Sequence, residues 1–163
     1  MHSLSRGAMK LRKLFRKVIA GETPEQQEER LHSEGLLRAS SYSATRSFEV
    51  AMYEDEGRHI FIELADGSVL YLRGQYLFDY GIDPADGPKA LDTTFPATEF
   101  DLVVHGERDY VFKIEPCGLA LPPKELFPPF RPEESRAGQV PEDLDLITSH
   151  TFDELLASEG RLI

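Results

Sequence analysis

The side chains with chemistry to offer are five histidines, one cysteine and two clusters of carboxylates. Their spacing limits what they can do. His2, His32, His59, His105 and His150 are scattered, with no pair at helical spacing and no cysteine close by in sequence. The linear signature of a zinc site is therefore missing. His59 falls where a hairpin strand begins and His105 beside a turn, which makes both sheet-rim residues before they are bases or ligands. Cys117, in "EPCGL", has a glycine neighbour but no triad around it, and is expected to be a buried structural thiol. No G-x-S-x-G, H-E-x-x-H, P-loop or G-x-G-x-x-G occurs.

Carboxylates gather in "YEDEG" (53–57) and "DYGIDPADG" (79–87). Loops rich in Asp and Gly can hold Ca2+, but the second cluster lacks the alternating Asp order and distal Glu of an EF-hand. Both are expected to be solvated turns, and neither a metal nor a cofactor is expected. Two catalytic carboxylates that converge only in space would leave no linear trace. If a small ligand is bound or hydrolysed, the mouth of the sheet is the place for it. His59, Glu63, Tyr71, Arg73, His105 and Tyr110 are the acids, bases and donors to suspect there.

The opening stretch "MKLRKLFRKVIAGETPEQQEER" (9–30) offers docking rather than catalysis. Leu11, Leu14, Phe15, Val18 and Ile19 recur at the spacing of one helical face, with Lys10, Arg12, Lys13, Arg16 and Lys17 on the opposite side. The expected docking set is Lys10, Arg12, Lys13, Leu14, Phe15, Arg16, Lys17 and Val18. Three surfaces fit it: the chain's own sheet, a groove on a protein partner, or an anionic membrane surface met peripherally through residues 9–19. Each basic residue near an anionic leaflet contributes about 1 kcal/mol.

Taking the +6 of residues 1–17 from the −11 of the whole chain leaves −17 on residues 18–163. A body of that sign repels nucleic acid, which is excluded as a partner except at the basic end. No apolar run reaches the roughly 18 residues of a membrane span. The polar "VIAGETPEQQEE" after the basic start is no signal-peptide core. With a single cysteine no internal disulfide can form, so the expectation is a soluble, cytoplasmic chain with peripheral contact at the inner membrane surface as an option.

Thr23, Pro24 and Gln26 make a capping-box start, so a helix should run to about Glu34 and stop at Gly35. Leu31 is almost its whole apolar face, which predicts a solvated connector. From Ser40 the period is two: Tyr42, Ala44, Phe48, Val50 and Met52 form one face of a long strand, interrupted at Arg46. "RHIFIELADGSVLYLRG" (58–74) reads as a hairpin about Asp66-Gly67, with the positive φ angles of a type I′ turn. That register sets Leu64 opposite Val69 and Ile62 opposite Tyr71, with Phe61 and Leu72 on the other side. Both faces are apolar, so the hairpin should be central.

Tyr76, Leu77, Phe78 and Tyr80 should be mostly buried, and "DPADGP" (83–88) is a loop. A second hairpin places Phe100, Leu102 and Val104 against Tyr110, Phe112 and Ile114 across a turn at Gly106. Seven prolines in residues 116–141 exclude a central strand. An extended arm anchored by Leu126, Phe127 and Phe130 is expected, and its Pro129–Pro132 PxxP match should pack on the sheet rather than dock elsewhere. "DLDLIT" adds a last strand, and Thr151 with Glu154 caps a short terminal helix.

The chain thus divides into a helical segment, 1–38, and a β-rich domain, 39–163. Its class is α+β, mainly β: an antiparallel barrel or sandwich of about six strands with N-terminal helices and a short C-terminal helix. The function expected first is a non-enzymatic module working through protein–protein contact. The alternative is a small-ligand-binding or hydrolase-like barrel.

Overall fold

A computed structural model describes residues 21–80 and 95–163. The basic segment, with Lys10, Arg12, Lys13, Leu14, Phe15, Arg16, Lys17 and Val18, lies outside the described residues, as does the 83–88 loop. In chain order the elements are α1 (Pro24–Ser33), β1 (Leu37–Val50), β2 (Arg58–Leu64), β3 (Val69–Gly74), a 3₁₀ turn (Gln75–Asp79), β4 (Ala97–His105), β5 (Tyr110–Ala120), β6 (Leu126–Phe127), α2 (Pro132–Arg136), β7 (Leu146–Ile147) and α3 (Phe152–Ala157). The seven strands form one sheet in the order β5-β4-β1-β2-β3-β7, with β6 parallel beside β1 and every other pairing antiparallel. The architecture is α+β and mostly antiparallel sheet. The sheet is open: its end strands β5 and β7 are not neighbours, so of the expected barrel or sandwich the closed barrel does not form.

α1 starts as its sequence dictates, with Thr23 Oγ1 accepting the Gln26 N–H and Gln26 returning a bond to the Thr23 N–H. Leu31 is its single buried residue.

Two of the three register shifts in the sheet set which residues fill its core. In β1, Ala44 pairs with Leu64 and Arg46 with Glu63, so Thr45 is the extra residue. An extra residue exchanges inside and outside for everything beyond it. Ala44 therefore joins the inner cluster with Ile60, Ile62, Leu64, Phe100, Leu102 and Val104, while Phe48 and Val50 join Phe61, Tyr71, Phe130 and Phe152 on the opposite face. The single apolar face expected for β1 is in fact two. Ser47 and Glu49, expected outside, lie opposite Ile62 and Ile60 and are buried.

The same device appears in β5, where Val104 pairs with Val111 and Val103 with Lys113, leaving Phe112 unpaired. Val111 and Ile114, not Phe112, fill the inner cluster.

The β2–β3 hairpin is shifted by one residue from its expected register: Phe61 faces Tyr71 and Ile62 faces Leu70. The turn is the cause. Gly67 has φ of 90° but Asp66 is not in the positive-φ region, so no type I′ turn forms. Asp66 instead accepts the Ser68 N–H at 2.9 Å and its hydroxyl at 2.5 Å, and the Leu64 N–H reaches the Ser68 carbonyl across a three-residue loop. The hairpin is central and buried on both faces, as its composition requires.

The proline-rich arm closes the outer face. Phe130 is buried and Phe127 packs against the outer cluster, but Leu126 stays 59 % exposed and anchors nothing. Pro132 opens α2, so the PxxP stretch is spent on the chain itself. Arg161 fastens the arm from below. Its guanidinium bonds Glu134 through Nε at 2.6 Å and the carbonyls of Pro129 and Glu159, and it stacks 4.6 Å from the Phe130 ring centre. α3 begins at Thr151, whose hydroxyl accepts the Glu154 N–H, and buries Phe152 and Leu155.

Gly57 and Gly67 separate two effects of glycine. Gly57 has φ of 95° and a Cβ there would sit 2.2 Å from the Gly74 carbonyl carbon, whereas Gly67, at φ 90°, meets nothing within 4 Å. Gly67→Ala is expected to cost about 1–2 kcal/mol from backbone strain alone. Gly57→Ala must also move β3 and should cost at least ~3 kcal/mol. Chemical denaturation of the two variants checks the order; equal losses would contradict it.

Candidate functional site

Of the six suspected residues, His59 and Tyr71 are bonded to each other beside Arg73, His105 and Tyr110 meet at a separate place, and Glu63 stands apart from both. His59 enters at the second position of β2, opposite Arg73, and its ring turns to the outer face. Nδ1 lies 2.6 Å from Tyr71 Oη and Nε2 2.6 Å from Glu56 Oε1. The network closes with one proton on the ring: the Tyr71 hydroxyl donates to Nδ1 and the Nε2–H donates to Glu56. Glu56 also accepts the Tyr53 N–H, which holds the turn before β2.

His59 is 1 % exposed and Tyr71 0 %, with the Phe130 ring edge-on to the imidazole at 5.2 Å. Burial lowers the His59 pKa, partly opposed by Glu56, and raises the Tyr71 phenol above its ordinary value. Hydroxyl, imidazole and carboxylate stand in the order of a nucleophile, its base and an orienting group. The same burial that aligns them removes the phenolate and the opening a substrate would need.

Glu63 is elsewhere. It holds Arg46 with two bonds of 2.8 Å, accepts from the Thr45 hydroxyl, and is kept below its usual carboxylate range chiefly by Arg46. Arg46 in turn bonds Asp153 and lies 4.5 Å over the Phe152 ring, so Glu63 fixes α3 to the bulge. His105 and Tyr110 meet at the far end of the second hairpin, stacked at 5.1 Å. His105 Nδ1 accepts the N–H groups of Glu107 and Arg108, which closes that turn. Both histidines are buried rather than at an open rim, and Cys117, expected buried, is exposed at the end of β5. Pairing through β5 to Ala120 leaves that cysteine on the outermost strand with nothing over it among the described residues.

A cleft does open at the mouth of the sheet, but other residues line it. Leu70, Leu102 and Val104 of the inner cluster line it with Tyr42 and Leu144, and Arg38, Ser40, Asp109, Glu142, Asp143 and Asp145 supply its polar groups. Its volume is about 380 Å3. Asp143 is half-buried and fixed: its Oδ1 accepts the Arg73 N–H at 2.7 Å and the Tyr76 hydroxyl at 2.8 Å. Desolvation raises its pKa against those bonds and the Arg73 charge. The loop bearing it is tied to β3, with Leu144 N–H donating to the Tyr71 carbonyl and Tyr71 N–H to the Asp145 carbonyl. Arg73, suspected for its side chain, thus serves the cleft through its backbone.

Asp143 escaped the sequence reading because "DLDLIT" alternates like a strand, and β7 begins only at Leu146. Glu56 sits in the cluster read as a solvated turn. A carboxylate three residues before a histidine at a strand start was the one signal available. Among the described residues no three His, Cys, Asp or Glu side chains converge as a metal would need, and no helix is long and apolar enough to cross a membrane. No protein-family model, no curated protein and no solved structure matches the chain.

The buried imidazole sets a pH dependence. A histidine whose folded pKa is lowered contributes stability that is fully present above its unfolded value, roughly pH 6.5, and is lost as pH falls below it. Between pH 7 and 5 the unfolding free energy should therefore fall, and His59→Phe should fall less over that interval although it starts lower. Urea titrations of both proteins at the two pH values decide this; equal losses would show that His59 does not bear the dependence.

Proposed function

We propose that the chain is a non-enzymatic cytoplasmic module that works by contact with a protein partner, made at the acid-walled cleft and aided by the basic segment 9–19. The observation that carries this reading is the closed state of the most enzyme-like feature. Tyr71 Oη and both His59 ring nitrogens are engaged with one another and with Glu56, beneath Phe130. A base whose two nitrogens are both occupied in the core has no proton to exchange with a substrate. The cleft is the open alternative, and it offers recognition without a nucleophile. An inner cluster drawn from both halves of the sheet supports a sandwich-like curl, which would place that cleft at its mouth. The lone cysteine supports the cytoplasmic assignment.

A hydrolase-like or small-ligand reading has one observation in its favour, the hydroxyl–imidazole–carboxylate order itself. It requires Phe130 to leave its place.

Tagged wild-type chain, Glu142→Gln/Asp143→Asn and His59→Gln/Tyr71→Phe should be compared in pull-downs from the native lysate. The reading expects a partner kept by wild type and by the core variant but lost by the cleft variant, whose thermal midpoint stays near wild type. Recovery of the same proteins by the wild-type and cleft chains, or of nothing above background by wild type, would overturn it.

The part played by segment 9–19 is separable. Liposome co-flotation of the full chain and of a chain lacking residues 1–22 should leave both in solution if that segment serves a protein groove. Salt-sensitive flotation of the full chain alone, on anionic vesicles, would instead assign it to a membrane surface.

A further inference from the structure

We infer that the cleft at the mouth of the sheet recognises a basic side chain, lysine or arginine, carried on an apolar segment of the partner. This rests on the partner-contact reading above and names what the partner must present.

The floor sets the first requirement. Leu70, Leu102 and Val104 are buried core residues at the base of the cleft, and the partly exposed Tyr42 and Leu144 complete its apolar lining. Water over such a floor is displaced favourably by an aliphatic stem. The rim sets the second. Asp109, Glu142, Asp143 and Asp145 share the lining with one cation, Arg38. An anionic occupant would meet four carboxylates against one cation. A neutral apolar one would strip water from the carboxylates and give nothing in exchange. A lysine or arginine meets both demands, because its stem is apolar and its head is charged.

Asp143 is prepared for the head group. Its Oδ1 accepts bonds from the Arg73 N–H and the Tyr76 hydroxyl. They fix the carboxylate plane, while a carboxylate can accept about four hydrogen bonds in all. The cleft's volume of about 380 Å3 fits a long side chain together with an apolar neighbour. Arg38, also in the lining, is exposed and able to hold a backbone carbonyl of the bound segment.

The test uses the full chain, 15N-labelled, titrated with Ac-Leu-Lys-Leu-NH2, with Ac-Leu-Glu-Leu-NH2 and with n-butylamine. The lysine peptide should shift the amides of Ser40, Tyr42, Leu144 and Asp145 saturably, and lose several-fold in affinity when salt is raised to about 0.5 M. Asp143→Asn should weaken it about tenfold, and Glu142→Gln, at an exposed position outside the packing, about threefold. Equal binding of the glutamate peptide at the same amides would overturn the cation inference and leave the partner-contact reading standing. Equal affinity of n-butylamine would assign the cleft to free amines and remove the protein partner from it. Absence of shifts at the cleft with every probe would overturn the inference outright, leaving the pull-down to decide whether another surface carries the contact.

Discussion

β1 gives its first half to β4 and its second half to β2, and the unpaired Thr45 between those halves decides which way every later side chain points. Without that bulge, Phe48 and Val50 would follow Tyr42 and Ala44 onto the inner face with Ile60, Ile62 and Phe100. With it, the two phenylalanines Phe48 and Phe61 stack at 4.5 Å on the outer face, where the arm and α3 can close over them. Each such ring contributes roughly 1.5–3 kcal/mol on burial, so the outer layer exists because one residue was inserted. Arg46, the first residue after the bulge, is the one that ties α3 down, through Asp153 and the Phe152 ring.

The cost of that inversion is polar side chains inside. Glu49 lands opposite Ile60 and can stay only because Arg58 meets both its oxygens, at 2.8 and 2.7 Å. Arg58 Nη1 has no partner among the described residues, so the pair is not fully satisfied. A buried pair of this kind adds little net stability, yet loss of either member strands the other charge at about 3–5 kcal/mol. Ser47 is answered by the Leu121 carbonyl, and the Lys124 N–H returns to Ser47, so the arm takes its path from the same inversion. Arg161 and Glu134 repeat the principle where the arm ends. Glu134 is held at about 2, chiefly by Arg161, so this clasp keeps its charge at any pH the chain meets above the usual carboxylate range.

Caps and composition were readable; parity was not. Thr23 with Gln26 and Thr151 with Glu154 declare helix starts in four residues, because the bonds they make are local. The two-faced hairpin, the last strand and the arm follow from composition for the same reason. A bulge leaves no local mark, and Thr45 and Phe112 look like ordinary strand residues, so a period of two was carried past both of them to the wrong face. Asp66-Gly67 was misread in a subtler way. The pair is common to two turn types, and the Ser68 hydroxyl, which captures Asp66, selects the longer one. The residues of the cleft run from Arg38 in β1 to Asp145 before β7. No pattern within a window of ordinary length joins Asp143 to Leu102.

Charge on this chain acts mainly at short range. At physiological salt the screening length is about 8 Å, so most of the −17 of residues 18–163 is felt only as general repulsion of anions. The cleft is different in kind. Its carboxylates stand beside a floor of Leu70, Leu102 and Val104, where water and counterions are fewer and screening is weaker. Net charge thus sets which molecules approach, whereas the apolar floor sets where the field is strong enough to discriminate among them. The sealed histidine follows the same rule in reverse. Removed from water, His59 loses its charge rather than projecting it. Buried ionisable groups of this sheet are either neutral, like His59, or paired, like Glu49 with Arg58, whereas Asp143 is half-buried in the lining of the cleft.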